Sequence, residues 1–381
     1  MIDLSEKNTL QIQKEQAEFI EKCVNIAIDD ELGSPYMKEL AQEKGIEKGD
    51  IKSWEELIEI CGPTDPNIFR NKSVEYTMTE WANRWYARTP GSELQVAETG
   101  GTTGPSKKNT LAANTTRLDF DEMDYFDLEV DAFNVLVKLC KQQFKDWDIP
   151  LREIGFVAGV PTGPHTIGKW TIKSFERDFA RRLFLIDMDP RWVKVMAMAG
   201  EDIQPYLDHM TRQTGELMKQ EAGKWKGWFT TGIVLAKAAG GLPGMAKGGL
   251  NTILHGGTPI EPEQIELIRG LGIKLMGFYG QSLFGTAFES EIHDNPHVDY
   301  FPHPRMNMFI IKDPNDINSR VDYGEMGTVV SQRVDPTTII PGLVQTGDLA
   351  ERVPGRGKFS FADGTRNPHR DLTGGAQIGV Y

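Results

Sequence analysis

The chain has 381 residues, which is enough for two or three packed units. The hydrophobic fraction of 39% is ordinary, and no apolar run approaches the roughly 18 residues that a membrane helix needs. A net charge of −13 argues against a nucleic-acid partner, because nucleic acids require a basic surface. Three widely spaced cysteines and the lack of a signal-peptide pattern predict a cytoplasmic protein without a disulfide framework.

Residues 1–97 are predicted to be helical and to brace a core. Apolar residues recur at helical spacing between Leu10 and Ile28, and the run is broken at Gly33–Pro35. A serine–glutamate capping box predicts a second helix over Trp54–Ile60. Aromatic residues that follow are expected to pack in the interior: Trp81, Trp85 and Tyr86.

The stretch Glu98–Lys108 contains three glycines, three threonines and two lysines. Glycines let the backbone approach a ligand closely, and their N–H groups can line an anion site. The composition therefore predicts a phosphate cradle. Walker A and G-x-G-x-x-G spacings are both absent, and a flexible surface loop is the alternative interpretation.

Residues 98–290 alternate between apolar strands and amphipathic helices, which predicts an α/β domain with a largely parallel sheet. Strands are expected over 154–160, 183–186 and 250–255 and near 275–279. Helices are expected over 126–144, 169–180, 204–224, 232–239 and 261–271, with a mobile glycine-rich connection at 240–249. In such sheets ligands gather where strands end, and His165 follows one such end.

Residues 291–381 are predicted to form a β-rich subdomain, with short strands over 308–311, 327–331 and 339–345. Three histidines in this part could be tested as metal ligands: His293, His297 and His303. Pro296 prevents a regular helix from presenting the first two on one face, so a metal site is not expected there.

Five stretches resemble, in order, motifs of the acyl-adenylate-forming superfamily: Thr99–Lys107, Gly256–Pro259, Tyr279–Leu283, Gly324–Gly327 and Gln345–Leu349. The resemblance covers about residues 98–352 and is closest to the phenylacetate-CoA ligase and acyl-protein synthetase (luciferin-component ligase) branch. It implies the superfamily's large domain, with layered α/β sheets and a small β-rich subdomain. The superfamily's C-terminal lid domain is expected to be absent, because few residues follow Asp348. Short members occur in antibiotic pathways such as phenazine biosynthesis, which favours an aromatic acid.

The resemblance also implies ATP, bound as AMP after reaction, and Mg²⁺ as cofactors. It places the β- and γ-phosphates on Thr99, Gly100, Gly101, Thr102, Thr103, Gly104 and Lys107. It places adenine against Gly256, Gly257, Thr258, Pro259, Tyr279 and Gly280. Asp348 would accept hydrogen bonds from both ribose hydroxyls, and His165 would lie beside the acid. Lys107 and Ser282 are the expected catalytic residues.

The chain departs from the superfamily pattern at three places. Pro105 comes one position early in the phosphate loop. Leu283 stands where a glutamate usually holds Mg²⁺, which leaves Glu289 or Glu291 as conjectural substitutes. A basic residue usually follows the ribose aspartate by three positions, but here that position is Glu351, and an arginine comes next.

These motifs predict an enzyme that converts a small-molecule carboxylic acid and ATP into an acyl-adenylate and pyrophosphate. A separate reductase or transferase would then receive the acyl group. One alternative is a nucleotide- or acyl-binding protein without turnover, and another is a phosphotransferase. The sequence leaves the oligomeric state open, including a homo-oligomer.

Overall fold

The structure is a computed structural model. It describes residues 9–88, 95–98, 108–111, 141, 143–161, 179–188, 196, 199–221, 223–230, 232–238, 240–256, 260–281, 283–289, 297–356 and 359–370. The described helices are α1 (Thr9–Ala27), α2 (Pro35–Lys44), α3 (Trp54–Cys61), α4 (Ile68–Asn71), α5 (Val74–Thr77), α6 (Glu80–Arg88), α7 (Gln204–Gln220), α8 (Gly232–Ala238), α9 (Leu242–Lys247) and α10 (Pro262–Gly270).

The described strands are β1 (Gln95–Glu98), β2 (Lys108–Leu111), β3 (Ile154–Pro161), β4 (Ala180–Met188), β5 (Trp225–Thr230), β6 (Leu250–Gly256), β7 (Lys274–Gln281), β8 (Gly285–Glu289), β9 (Asp299–Phe301), β10 (Met306–Asp313), β11 (Asp316–Arg320), β12 (Met326–Val334), β13 (Ile339–Val353) and β14 (Gly364–Arg370). Strands β1 and β2 form a hairpin, and the other twelve form one sheet. None of the described helices is long and apolar enough to cross a membrane.

The large sheet has a parallel half and an antiparallel half. Its order is β11-β10-β12-β13-β14-β9-β8-β7-β6-β5-β3-β4. Strands β4, β3, β5, β6 and β7 run parallel, because helices such as α7 and α10 carry the chain back between them. The remaining neighbouring strands pair antiparallel, some through a tight turn, as between β10 and β11, and others between distant parts of the chain, as between β9 and β14. The predicted α/β class with β-rich strands near the C-terminus is confirmed.

The first six helices form a separate apolar cluster against the antiparallel half. Helix α2 begins at Ser34, whose side chain accepts a hydrogen bond from the Met37 N–H, followed by a proline in the first turn. Ser53 caps α3 in the same way, as predicted. The cluster reaches the sheet at Val334 and Ile339. Leu10 is 77% exposed, so the predicted apolar face of α1 does not include it.

Two secondary-structure predictions were wrong. The glycine-rich segment 240–249 contains helix α9, because Leu242 is buried in the core beside β6 and a proline fits the first turn. The predicted helix over 169–180 cannot end at Ala180, since Ala180 begins β4. The first prediction relied on glycine content alone and did not take the burial of Leu242 into account.

We predict that Gly227→Ala lowers the free energy of unfolding by about 1–3 kcal/mol. Gly227 pairs with Phe156 across β5 and β3, and an added methyl group would overlap the buried Phe156 ring. Gly215→Ala is the matched control, because Gly215 lies in α7 with open space around it. The control variant should raise the free energy of unfolding by roughly 0.5–1 kcal/mol. Urea denaturation measures both variants, and equal effects would contradict the packing argument.

Candidate functional site

The carboxyl ends of the parallel strands meet at one edge of the sheet. Strand β3 ends at Pro161, β6 at Gly256 and β7 at Gln281. The predicted substrate and adenine segments lie at these ends or shortly after them, where ligands of parallel sheets commonly bind. Of the predicted residues there, His165, Gly257, Thr258, Pro259 and Ser282 lie outside the described residues. Gly256 and Gly280 lie on adjacent strands, with Gly256 paired to Phe278.

The predicted phosphate loop connects the two strands of the β1–β2 hairpin, where Glu98 pairs with Lys108. Strand β2 contacts helix α4. Phe69 of α4 packs in turn against Leu283, two residues after β7. The base of the hairpin is therefore linked by packing to the carboxyl edge of the parallel strands. The loop residues themselves, from Thr99 to Lys107, lie outside the described residues.

Tyr279 and Asp348, 69 positions apart in sequence, are in direct contact. The Tyr279 hydroxyl donates a hydrogen bond to Oδ2 of Asp348 at 3.0 Å. Asp348 is only 3% exposed. The Tyr279 ring lies 6.0 Å from the Tyr300 ring and packs against Ile310 and Ala350. Two residues predicted to hold adenine and ribose are thus brought together.

This contact requires the sheet to curl. Tyr279 lies on β7 and Asp348 on β13, with β8, β9 and β14 between them in the sheet order. Four strand spacings would separate their backbones by about 19 Å in a flat sheet. Side chains of these lengths could not meet across that span. The antiparallel half therefore bends over the end of β7 and encloses one side of the edge.

Leu283 is buried at 2% exposure among Phe69, Ile340 and Leu343. It is a core residue, so a packing side chain occupies the position at which the motif resemblance implied a magnesium ligand. Glu289, one conjectural substitute, is buried with Oε1 3.5 Å from Nη2 of Arg269. Burial raises the pKa of Glu289 to about 8, against the opposing influence of Arg269. A protonated carboxyl beside an arginine is a poor ligand for Mg²⁺.

Glu291, the other substitute, lies outside the described residues. Within the part of the chain that the structure describes, no group of three or more His, Cys, Asp or Glu side chains is arranged to hold a metal ion. Glu351, at the position where a basic residue was expected, and Arg352, which follows it, both form ion pairs with other residues. Glu351 pairs with Arg366, and Nη2 of Arg352 lies 2.7 Å from Oδ2 of Asp363.

Sequence reasoning missed a row of residues directly below Tyr279. His255, Gly277, Glu289 and Tyr300 lie side by side on β6, β7, β8 and β9. A Cβ atom at Gly277 would lie 2.7 Å from His255 Nε2 and 2.9 Å from the Tyr300 hydroxyl. The two side chains therefore converge over the glycine. Two members of the row carry a sequence signal: His255 stands before Gly-Gly, and Glu289 is the conjectural magnesium ligand near Tyr279–Leu283.

His255 is fully buried, and neither ring nitrogen has a hydrogen-bond partner among the described residues. Burial lowers the pKa of His255 to about 3, so the ring is neutral at ordinary pH. A buried neutral imidazole still carries one N–H donor and one acceptor. The row therefore contains a buried donor and a buried acceptor, both on His255, that no described residue satisfies.

No protein-family model matches the chain, and no curated protein matches it in sequence. Among solved structures it is similar to 2-hydroxyisobutyryl-CoA ligase in the postadenylation state, in complex with R3-HIB-AMP. The TM-score is 0.56 at 14% identity, over 94% of this chain and 67% of the ligase. The same ligase with 2-HIB-AMP and CoA gives a TM-score of 0.55 at 16% identity, over 96% and 69%. The chain thus has the fold of the large domain of adenylate-forming ligases, as its motifs predicted.

We predict that the contribution of Glu289 to the free energy of unfolding falls as pH rises from about 4.5 through 8. The folded protein keeps a proton on Glu289, while the unfolded chain releases it near pH 4.5. Glu289→Gln removes this pH dependence. Relative to the parent, the variant should have a free energy of unfolding higher by on the order of 1–3 kcal/mol at pH 9 and nearly the same at pH 5.

Urea denaturation at pH 5, 7 and 9 measures this difference. Glu266→Gln is the matched control, since Glu266 is exposed on the neighbouring helix α10. The free energies of unfolding of the parent and of the Glu266 variant should change with pH in parallel. If Glu289→Gln also follows them, Glu289 is already ionised in the folded protein.

Proposed function

We propose that the protein activates a small-molecule carboxylic acid with ATP, forming an acyl-adenylate and releasing pyrophosphate. The observation that carries this proposal is the Tyr279–Asp348 hydrogen bond at the carboxyl edge of the parallel strands. The fold, shared with a ligase whose structures contain acyl-AMP ligands, supports the same conclusion. The protein would work in the cytoplasm as an AMP-forming ligase.

Asp348 and Tyr279 suit a nucleoside. An ionised carboxylate is acceptor-only and can take hydrogen bonds from two neighbouring hydroxyls, as the ribose of ATP presents. The Tyr279 ring would offer an aromatic face for adenine, with the backbone after Gly256 along the base edge. Their mutual hydrogen bond fixes the orientation of both side chains before a nucleotide binds, which lowers the entropy lost on binding.

At the phosphate end of the proposed site, the attacking carboxylate and the phosphates of ATP are both negatively charged and repel each other. The acid's oxygen would attack the α-phosphorus while pyrophosphate leaves, so catalysis depends on donors and cations aimed at the phosphates. Thr102, Thr103 and Lys107 of the hairpin loop would supply them. Mg²⁺ would neutralise phosphate charge. With Leu283 in the core, its protein ligand would have to come from another position.

The acid would bind near the end of β3, where His165 follows. We propose an aromatic acid, as in phenazine-type metabolism, and a separate reductase or transferase that takes the acyl group. Leu283 also supports a second candidate, a nucleotide- or acyl-binding protein without independent turnover. This candidate predicts nucleotide affinity without pyrophosphate release.

Incubation with ATP, Mg²⁺ and a panel of carboxylic acids separates these candidates. We expect pyrophosphate release that depends on both the acid and ATP, with an aromatic acid the best substrate. AMP binding without pyrophosphate would favour the binding protein. Release of ADP instead would point to phosphoryl transfer and contradict adenylation.

We predict that Asp348→Asn weakens AMP and ATP binding about ten- to a hundredfold, the equivalent of one hydrogen bond to a charged group. Asparagine keeps the shape but replaces one acceptor oxygen with a donor. Calorimetry measures the affinity. Asp322→Asn is the control, since Asp322 is an exposed aspartate in the turn after β11. Equal affinities in all three proteins would show that Asp348 does not contact ribose.

We predict a similar loss of ATP affinity or turnover for Lys107→Ala, with AMP binding much less affected. The reason is that Lys107 is proposed to contact the β- and γ-phosphates, which AMP lacks. Lys72→Ala, on the surface after α4, is the control. Parallel effects on AMP and ATP would remove Lys107 from the phosphate end, and no effect on either would remove it from the site.

A further inference from the structure

The two residues of the proposed nucleoside site lie on either side of a very short strand in the sheet. Tyr279 lies on β7, beyond β8, and Asp348 lies on β13, beyond β14, so the junction between them is the segment from β8 to β14. Strand β9, three residues long, lies between them. It pairs with β14 at only two register positions, Tyr300 with Thr365 and Asp299 with Arg366. Backbone hydrogen bonds alone hold this junction weakly.

A buried ionic network reinforces the junction. The Asp299 side chain is fully buried and accepts two hydrogen bonds from Arg366, at 2.7 Å from Nε and 3.1 Å from Nη2. Nη1 of Arg356, in the turn after β13, lies 2.9 Å from Oδ2 of Asp299. Nη1 of Arg366 reaches Glu351 on β13 at 3.2 Å. One carboxylate thus ties β9 to β14, to β13 and to the turn between them.

Both ends of this network lead to the nucleoside site. On one side the next residue, Tyr300, carries its ring 6.0 Å from the Tyr279 ring. On the other side Glu351 lies three residues after Asp348 on the same strand. A bidentate arginine–carboxylate pair fixes angle as well as distance. A displacement of Asp299 would therefore shift both partners of the Tyr279–Asp348 hydrogen bond.

We propose that Asp299 is a positioning residue that sets the Tyr279–Asp348 geometry through Arg366 and Tyr300. As a role in nucleotide binding this rests on the proposed function. The coupling between Asp299 and the tyrosine–aspartate pair is a property of the fold and can be measured without a nucleotide.

The test is a double-mutant cycle between Asp299→Asn and Tyr279→Phe, with AMP as the probe. In the parent, Tyr279→Phe should weaken AMP binding about tenfold. In the Asp299→Asn protein the same change should weaken it less than about threefold, because the hydrogen bond is already misaligned. Independent, multiplying effects would overturn the proposal, since a merely structural residue lowers stability without this coupling.

Glu221→Gln is the matched control. Glu221 is also a buried carboxylate paired with an arginine, Arg181, but it lies beside Gly155 at the amino end of β3. In the Glu221→Gln protein, Tyr279→Phe should still weaken AMP binding about tenfold. If Asp299→Asn does not fold, Arg366→Lys keeps the charge but loses the bidentate contact, and should reduce the effect of Tyr279→Phe in the same direction.

The same cycle measured by urea denaturation distinguishes this proposal from the proposed function. If the parent binds no AMP, the function is wrong, while non-additive changes in the urea midpoint would still support the positioning role. Additive changes in the urea midpoint, with or without AMP binding, would overturn it.

Discussion

The hydrogen bond between Tyr279 and Asp348 depends on the curvature of the whole sheet. A flat sheet would keep their strands apart by several strand spacings. The contact can therefore form only because the sheet is curved. The apolar cluster around Tyr279 favours this curl, because Ile310, Val329 and Ala350 gain a large aromatic neighbour. The same burial removes water from Asp348, which strengthens each hydrogen bond to its carboxylate.

Leu283 contributes to the core that connects the sheet with the β1–β2 hairpin. Leu283 packs against α4, and α4 contacts the strand that leaves the predicted phosphate loop. A glutamate in this apolar surround would have to bury a charge among Phe69, Ile340 and Leu343, at a cost of several kcal/mol. The leucine therefore helps to hold the β1–β2 hairpin against the edge of the sheet.

Much of the fold could be predicted from sequence, because local patterns determine it. The apolar run from Ile154 and the capping serine before α3 both gave elements close to those observed. The candidate site was only partly predictable. Tyr279 and Asp348 were recognised singly from motifs, but their contact follows from curvature, which no local pattern encodes. The row from His255 to Tyr300 depends on strand register across three strand pairs, and Asp299 carries no local signal at all.

The brevity of β9 has a consequence for how this chain can change in length. Side chains alternate along a strand, so a single inserted or deleted residue turns every later side chain to the opposite face. In β9 such a change would carry Asp299 away from Arg366 or Tyr300 away from Tyr279, and no remaining residues of the strand could absorb the shift. The exposed turn between β10 and β11 has no such constraint. Length variation among natural or engineered relatives should therefore concentrate in that turn and be excluded from residues 299–301.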